Sequence, residues 1–214
     1  MNIGEKAQKK NEAVKVVCFT GHRNIPGGAA ERLLVLLKET ISELCERGAT
    51  VFRAGGAMGF DTLAALAVLD MKETYPQLHL ELILPCRNQT DGWNDVSRQV
   101  YDYILQRADE HRFLFDSYME GCMLERDRKL VEGSDVCVAY CAQSQGGTAY
   151  TYTLALRADV ETINLYDQLR DVEADMDEDA DMDEDADMDE DVDESMEDST
   201  DDFMDEDVDE NAEE

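Results

Sequence analysis

The chain has 214 residues, 51 acidic and 19 basic, and a formal net charge of −32. Residues 171–214 carry 27 Asp and Glu and no Lys or Arg, which leaves 24 acids against 19 bases in residues 1–170. That balance makes nucleic acid an unlikely partner, because single strands bind to cationic surfaces, while a body of about 150 residues is ample for one domain with a sizeable core.

In chain order, residues 1–13 form a short extension whose MNIGEKAQKKNE lacks the apolar centre of a signal peptide. VKVVCFT (14–20) is β-branched and apolar, the pattern of a strand, and it ends at GHRNIPGG. AAERLLVLLKETISELCERG (29–48) places Leu33, Leu37, Ile41 and Leu44 at helical spacing, with Gly48 as its stop. TVFRAG (50–55) reads as a second strand and FDTLAALAVLDMKETY (60–75) as a second helix, ended before Pro76. HLELILP (79–85) is a third strand, and WNDVSRQVYDYILQRAD (93–109) a helix with Val96, Val100, Tyr103 and Ile104 on one side.

HRFLF (111–115) continues as a strand and CMLERDRKLVEGSD (122–135) as a helix with a charged face. VCVAYC (136–141) is nearly all apolar, as expected of a strand buried on both faces. TAYTYTLALRAD (148–159) reads as a helix and VETINLY (160–166) as the last strand. Residues 168–214 form an acidic tail that repeats ADMDED at 174–179, 180–185 and 186–191. So much like charge with so few apolar residues cannot offset the entropy of ordering, so disorder is expected there. Such a tail solubilises the chain, docks a basic protein partner, or binds divalent cations loosely; it lacks the D-x-[DN]-x-[DN]-G of a calcium loop.

Alternating strands and helices over residues 14–167 define an α/β, Rossmann-like three-layer sandwich with a mainly parallel sheet. No run reaches about 18 apolar residues, so no membrane span and a cytoplasmic location are expected. Cys18, Cys45, Cys86, Cys122, Cys137 and Cys141 contain no C-x-x-C pair and are expected to be reduced thiols. His22, His79 and His111 have no ligand spacing to them, so no metal site is expected.

Right-handed crossovers bring the C-terminal ends of parallel strands to one edge. Three glycine-rich strand-to-helix junctions fall there: TGHRNIPGG (20–28), AGGAMGFD (54–61) and QSQGGTAY (143–150). Each precedes a helix N-terminus, where unpaired N–H groups attract anions. The G-x-G-x-x-G dinucleotide fingerprint is absent.

FTGHR, GGAMGFD, ERDRKLVEGSDVCVAY and GGTAYTYTLA, in this order and spacing, resemble the SLOG superfamily and within it the YpsA-like, DUF1273-type branch of bacteria and their phages. Its most specific element is R-x-x-x-x-V-x-x-S-D, here Arg126, Val131, Ser134 and Asp135. The resemblance implies a Rossmann-like fold that binds nucleotides or nucleotide-derived ligands at the glycine edge. A related branch, the LOG-type phosphoribohydrolases, cleaves nucleoside monophosphates with an arginine and the glutamate of P-G-G-x-G-T-x-x-E. Arg126 matches that arginine, but the glutamate position holds Thr151 or Thr153, depending on which glycine is aligned.

The expected function is therefore a non-catalytic, nucleotide-binding sensor or regulatory module. The alternatives are a phosphoribohydrolase-like N-glycosidase, with Arg126 and Asp61 as its catalytic candidates, and a DprA-like module that binds single-stranded DNA. Expected ligand-binding residues are Thr20, Gly21, His22 and Arg23 in the first junction, and Gly55, Gly56, Met58, Gly59 and Asp61 in the second. Arg87, Arg126, Gly146, Gly147 and Thr148 complete the set, and Trp93 is either a stacking surface for a base or a core anchor. Each glycine has a plainer reading as a tight turn, and Arg126 as a charge paired with Glu125 or Asp127. A small phosphate-bearing or nucleotide-derived ligand is the expected partner, no further cofactor is implied, and the oligomeric state is open between monomer and homo-oligomer.

Overall fold

The computed structural model describes residues 14–170, and the expectations for the extension and for the repeats of 171–214 lie outside those residues. Six strands form one sheet: β1 (Val16–Gly21), β2 (Val51–Ala54), β3 (His79–Cys86), β4 (Glu110–Phe115), β5 (Val136–Tyr140) and β6 (Glu161–Asn164). Their spatial order is β4-β3-β2-β1-β5-β6 and every pairing is parallel. The chain steps outward from β1 to β4, then returns to add β5 on the other side of β1. That reversal opens a crevice beyond the C-terminal ends of β1 and β5, the place where doubly wound sheets hold ligands.

The helices α1 (Gly27–Glu46), α2 (Phe60–Met71) and α3 (Asp95–Arg107) cover one face of the sheet, and α4 (Cys122–Val131) and α5 (Gly147–Arg157) the other. Successive strand residues point to opposite faces. Val17 and Phe19 accordingly join the larger core under α1 and α2, and Cys18 joins a smaller one with Ile83, Leu130, Val131, Cys137 and Ala155. The helical spacing read along α1 holds, because Leu33, Leu37, Ile41 and Leu44 are all buried. All six cysteines are free thiols.

Three details differ from the pattern read in the sequence. In α3 the buried residues are Tyr101 and Ile104, whereas Val96 and Tyr103 are exposed. The helix starts two residues after Trp93, capped by Asn94, whose side chain accepts from the Ser97 N–H at 2.8 Å. Ile104 and the half-buried Val100 of the expected side do pack on the core, so that side is borne out only in part. Helix α4 ends at Val131, before Ser134 and Asp135. The last strand stops at Asn164, and residues 165–170 are helical, with Leu165 and Leu169 buried in the larger core.

Candidate functional site

The C-terminal ends of β1 and β5 lie side by side, Thr20 opposite Ala139 and Gly21 opposite Tyr140. Beyond them the first and third junctions are tied together: the His22 N–H donates to the Tyr140 carbonyl at 3.3 Å, and the Ala142 N–H donates to His22 Nε2 at 2.8 Å. An accepting Nε2 places the proton of the neutral ring on Nδ1. Burial also holds the imidazole below its ordinary pKa.

Between these strand ends and helix α4 lies a cavity of about 280 Å³. Thr20, Gly21, His22, Arg23, Asp61, Arg126, Gly146, Gly147 and Thr148 line it, so the structure brings together all three junctions and the arginine. Helix α5 begins at this wall with no side-chain cap and no acid in its first turn. Its first N–H groups thus carry the positive end of the helix dipole with no acid of the helix's own first turn to offset it. A Cβ added at Gly146 would meet nothing, and one at Gly147 only Asp127 Oδ2 at 4.0 Å.

A buried charge cluster forms the opposite wall. Arg126 Nη1 donates to the Gly55 carbonyl at 2.8 Å and to Asp61 Oδ2 at 3.3 Å. Arg126 Nε lies 2.8 Å from Asp127 Oδ1, yet it is buried without a hydrogen bond. We read the contact as an ion pair in which the N–H is not aligned on the oxygen, because adjacent residues on a helix splay apart. Burial raises the pKa of Asp61, opposed by Arg126 and by the Ala57 N–H, and the Asp127 charge raises it further. Burial raises that of Asp127 as well, opposed by Arg126 and by the Thr151 hydroxyl. Two carboxylates therefore share one guanidinium away from water, and each holds a proton more readily than an ordinary aspartate.

Several expected site residues have other work. A Cβ on Gly55 would strike Arg126 and Asp61, one on Gly56 would strike Leu84 and Gln89, and one on Gly59 would lie 2.2 Å from the Arg23 carbonyl oxygen. Protein groups fill the space these glycines leave. Gly21 has the same role against Phe60, although it also reaches the cavity. Met58 and Arg87 do not line the cavity; Arg87 pairs with Asp116 at 3.2 Å and lies over the Phe113 ring.

The R-x-x-x-x-V-x-x-S-D element divides between the two ends of the sheet. Arg126 serves the site, whereas Asp135 accepts the N–H groups of Lys15 and Val16 at the N-terminal end of β1. Ser134 bonds back to the Leu130 carbonyl at 2.7 Å. Arg128 pairs with Glu125 in solvent, so Arg126 is the arginine that faces the site.

Sequence reasoning took Asp127 only as a partner for Arg126 and missed its place in the cavity wall. The signal was present: Asp127, Leu130, Val131 and Ser134 follow the helical period and are all buried. Thr151, one of the two positions aligned with the absent glutamate, is buried between the Gly147 carbonyl, at 3.0 Å, and the Asp127 carboxylate. Thr153 is exposed.

Fold and site together define a doubly wound α/β protein with an uncapped helix N-terminus and a buried acid–arginine cluster at its switch point. The family model described as the YspA SLOG family matches residues 28–170, and the chain belongs to that family. A UPF0398 protein of Listeria monocytogenes serotype 4a is 27% identical over 171 residues, covering 75% of this chain and 93% of the relative. Another from Staphylococcus saprophyticus is 32% identical over 115 residues, covering 50% of this chain and 61% of the relative.

Among solved structures, DNA processing protein A from Helicobacter pylori, described in a single-stranded DNA binding mode, superimposes with a TM-score of 0.51 at 20% identity. Its homologue from Streptococcus pneumoniae gives 0.50 at 16% identity. The alignments cover 70% of this chain in both cases, but only 64% and 49% of those proteins, and they establish a shared fold. Among the described residues no helix is long and apolar enough to cross a membrane.

Proposed function

We propose that the switch-point cavity binds a small phosphate-bearing, nucleotide-derived ligand and that the protein acts as a sensor or regulatory module. The observation that carries this reading is the pairing of an uncapped α5 N-terminus with the buried Arg126 guanidinium in one cavity. The guanidinium is held in the cavity wall by Asp61, Asp127 and the Gly55 carbonyl, so its orientation is set before any ligand arrives. An oxyanion between α5 and Arg126 satisfies helix dipole and guanidinium together. The buried carboxylates then suit the hydroxyl groups of a ribose, which donate hydrogen bonds.

Thermal-shift and calorimetric titration with ribose 5-phosphate, nucleoside monophosphates and ADP-ribose tests the proposal. A ligand present at a hundred times its Kd stabilises the fold by about 2.7 kcal/mol. Gly147→Ala adds a Cβ at the cavity wall that meets only Asp127 Oδ2, at 4.0 Å, so it should weaken that gain and leave the unliganded fold intact. A well-folded sample that none of these ligands stabilises would refute the proposal.

One observation favours a second reading, hydrolysis of an N-glycosidic bond. Asp61 and Asp127 are buried carboxylates with raised pKa values in the same wall, the property of a general acid. Release of free base from a nucleoside monophosphate, lost in Asp61→Asn or Asp127→Asn, is the result this reading requires. The excess of acids over bases in residues 1–170 gives single-stranded DNA binding no support from this chain.

A further inference from the structure

A second cavity of about 470 Å³ opens beside the first and shares Arg23, Ala57, Met123 and Arg126 with it. A ligand that extends from the switch point past these four residues enters this compartment. Its other walls differ in chemistry, being formed by Trp93, Tyr118, Asn88, Gln89 and Asp91.

One ring is held from behind and the other is fixed through its backbone. Trp93 is half-buried and meets the Tyr101 ring edge-on, with centroids 5.8 Å apart and planes at 81°. Tyr118 is 63% exposed, yet its backbone N–H is fixed by Asn88 Oδ1 at 2.7 Å. A large exposed aromatic on an anchored backbone offers a face for stacking.

The polar groups carry a sign. The Asn88 amide nitrogen donates to Asp91 Oδ2 at 3.1 Å, and that of Gln89 donates to the Gly56 carbonyl at 3.1 Å. Each amide spends one of its two N–H groups on the protein, and the Asp91 carboxylate brings only acceptors to the lining. Acceptors beside aromatic faces match a planar heterocycle that presents N–H₂ donors.

We infer that this compartment receives a nucleobase bearing an exocyclic amino group, with the phosphate of the same nucleotide in the switch-point cavity. The inference deepens the ligand-binding reading and rests on it. Arg23 and Arg126, on the shared wall, lie where phosphate and base subsites meet.

Calorimetry on the full chain with AMP, CMP, UMP and ribose 5-phosphate tests this, read alongside the fluorescence of Trp93, the only tryptophan in the sequence. AMP should bind about ten-fold or more tightly than ribose 5-phosphate and change Trp93 emission, as base stacking does. CMP should resemble AMP, and UMP should bind more weakly. Tyr118→Ala, an exposed position, should bring AMP down to the affinity of ribose 5-phosphate and leave the latter unchanged. Equal affinities for AMP and ribose 5-phosphate with unchanged emission would overturn the base subsite and leave the phosphate site standing. UMP binding as tightly as AMP would overturn the amino-group requirement. No binding by any of the four would overturn both readings.

Discussion

Arg126 Nη1 occupies the space where a side chain on residue 55 would begin: a Cβ on Gly55 would lie 1.8 Å from that nitrogen, whose hydrogen bond the Gly55 carbonyl accepts at 2.8 Å. The glycine that looks in sequence like a ligand-approach residue is the seat of the arginine. Gly55→Ala should expel the guanidinium and leave Asp61 buried without its counter-ion. Breaking a buried pair costs about 3–5 kcal/mol, so a loss of that order in urea unfolding is expected. An alanine variant as stable as the parent would show that Arg126 does not need this seat.

Arg126→Met removes the charge both carboxylates share, and its effect should depend on pH. Asp61 and Asp127 already have folded pKa values raised by burial. The folded state therefore holds protons that the unfolded chain has released, so stability falls as pH rises from the ordinary carboxylate range through the raised values. Without Arg126 both values rise further and the window widens. The variant should lose about 3–5 kcal/mol near neutrality and recover part of it on acidification, as urea unfolding at several pH values would record. Adding Asp61→Asn should restore stability at neutral pH.

His22 should show the opposite sign. Its pKa is depressed by burial, and its Nε2 accepts from Ala142 N–H. Between the folded value and the ordinary value the unfolded chain binds more protons, so stability rises with pH through that window. A proton on Nε2 also removes the acceptor that ties the β5–α5 junction to the first junction. An NMR titration should place His22 below the ordinary histidine value, and His22→Ala should flatten the pH dependence in that window.

The two threonines aligned with the absent glutamate should differ. Thr151→Val takes a hydroxyl from the Asp127 carboxylate and the Gly147 carbonyl, at a cost of about 1 kcal/mol. Thr153→Val changes an exposed position and should stay within about 0.5 kcal/mol of the parent. Equal effects in thermal unfolding would remove Thr151 from the cluster.

How far the sequence could be read depended on the kind of signal. Strand-helix alternation placed all three junctions at one edge, and the structure brings them there, because every strand of the sheet runs in the same direction. Spacing could not show what fills the void of a missing Cβ. Gly55, Gly56 and Gly59 admit Arg126, Gln89 and the Arg23 backbone, whereas Gly146 and Gly147 face open space. Both kinds look alike as G-G in a strand-to-helix turn. The side of α3 was read in part: Val100 and Ile104 pack on the core, whereas Val96 and Tyr103 are exposed, because apolar spacing alone does not set the width of the buried stripe. Asp127 was taken only as a partner for Arg126, although its helical period with Leu130 and Val131 placed it inside.

The most direct measurement is an amide NMR titration of the isotope-labelled full chain with AMP. Shifts should centre on Gly147, Thr148 and Ala149 at the start of α5, with coupled changes at Arg23 and Arg126. Unchanged resonances at those positions under saturating AMP would contradict a phosphate site at the switch point, as would shifts confined to the α1–α2 groove around Leu34, Leu63 and Leu66.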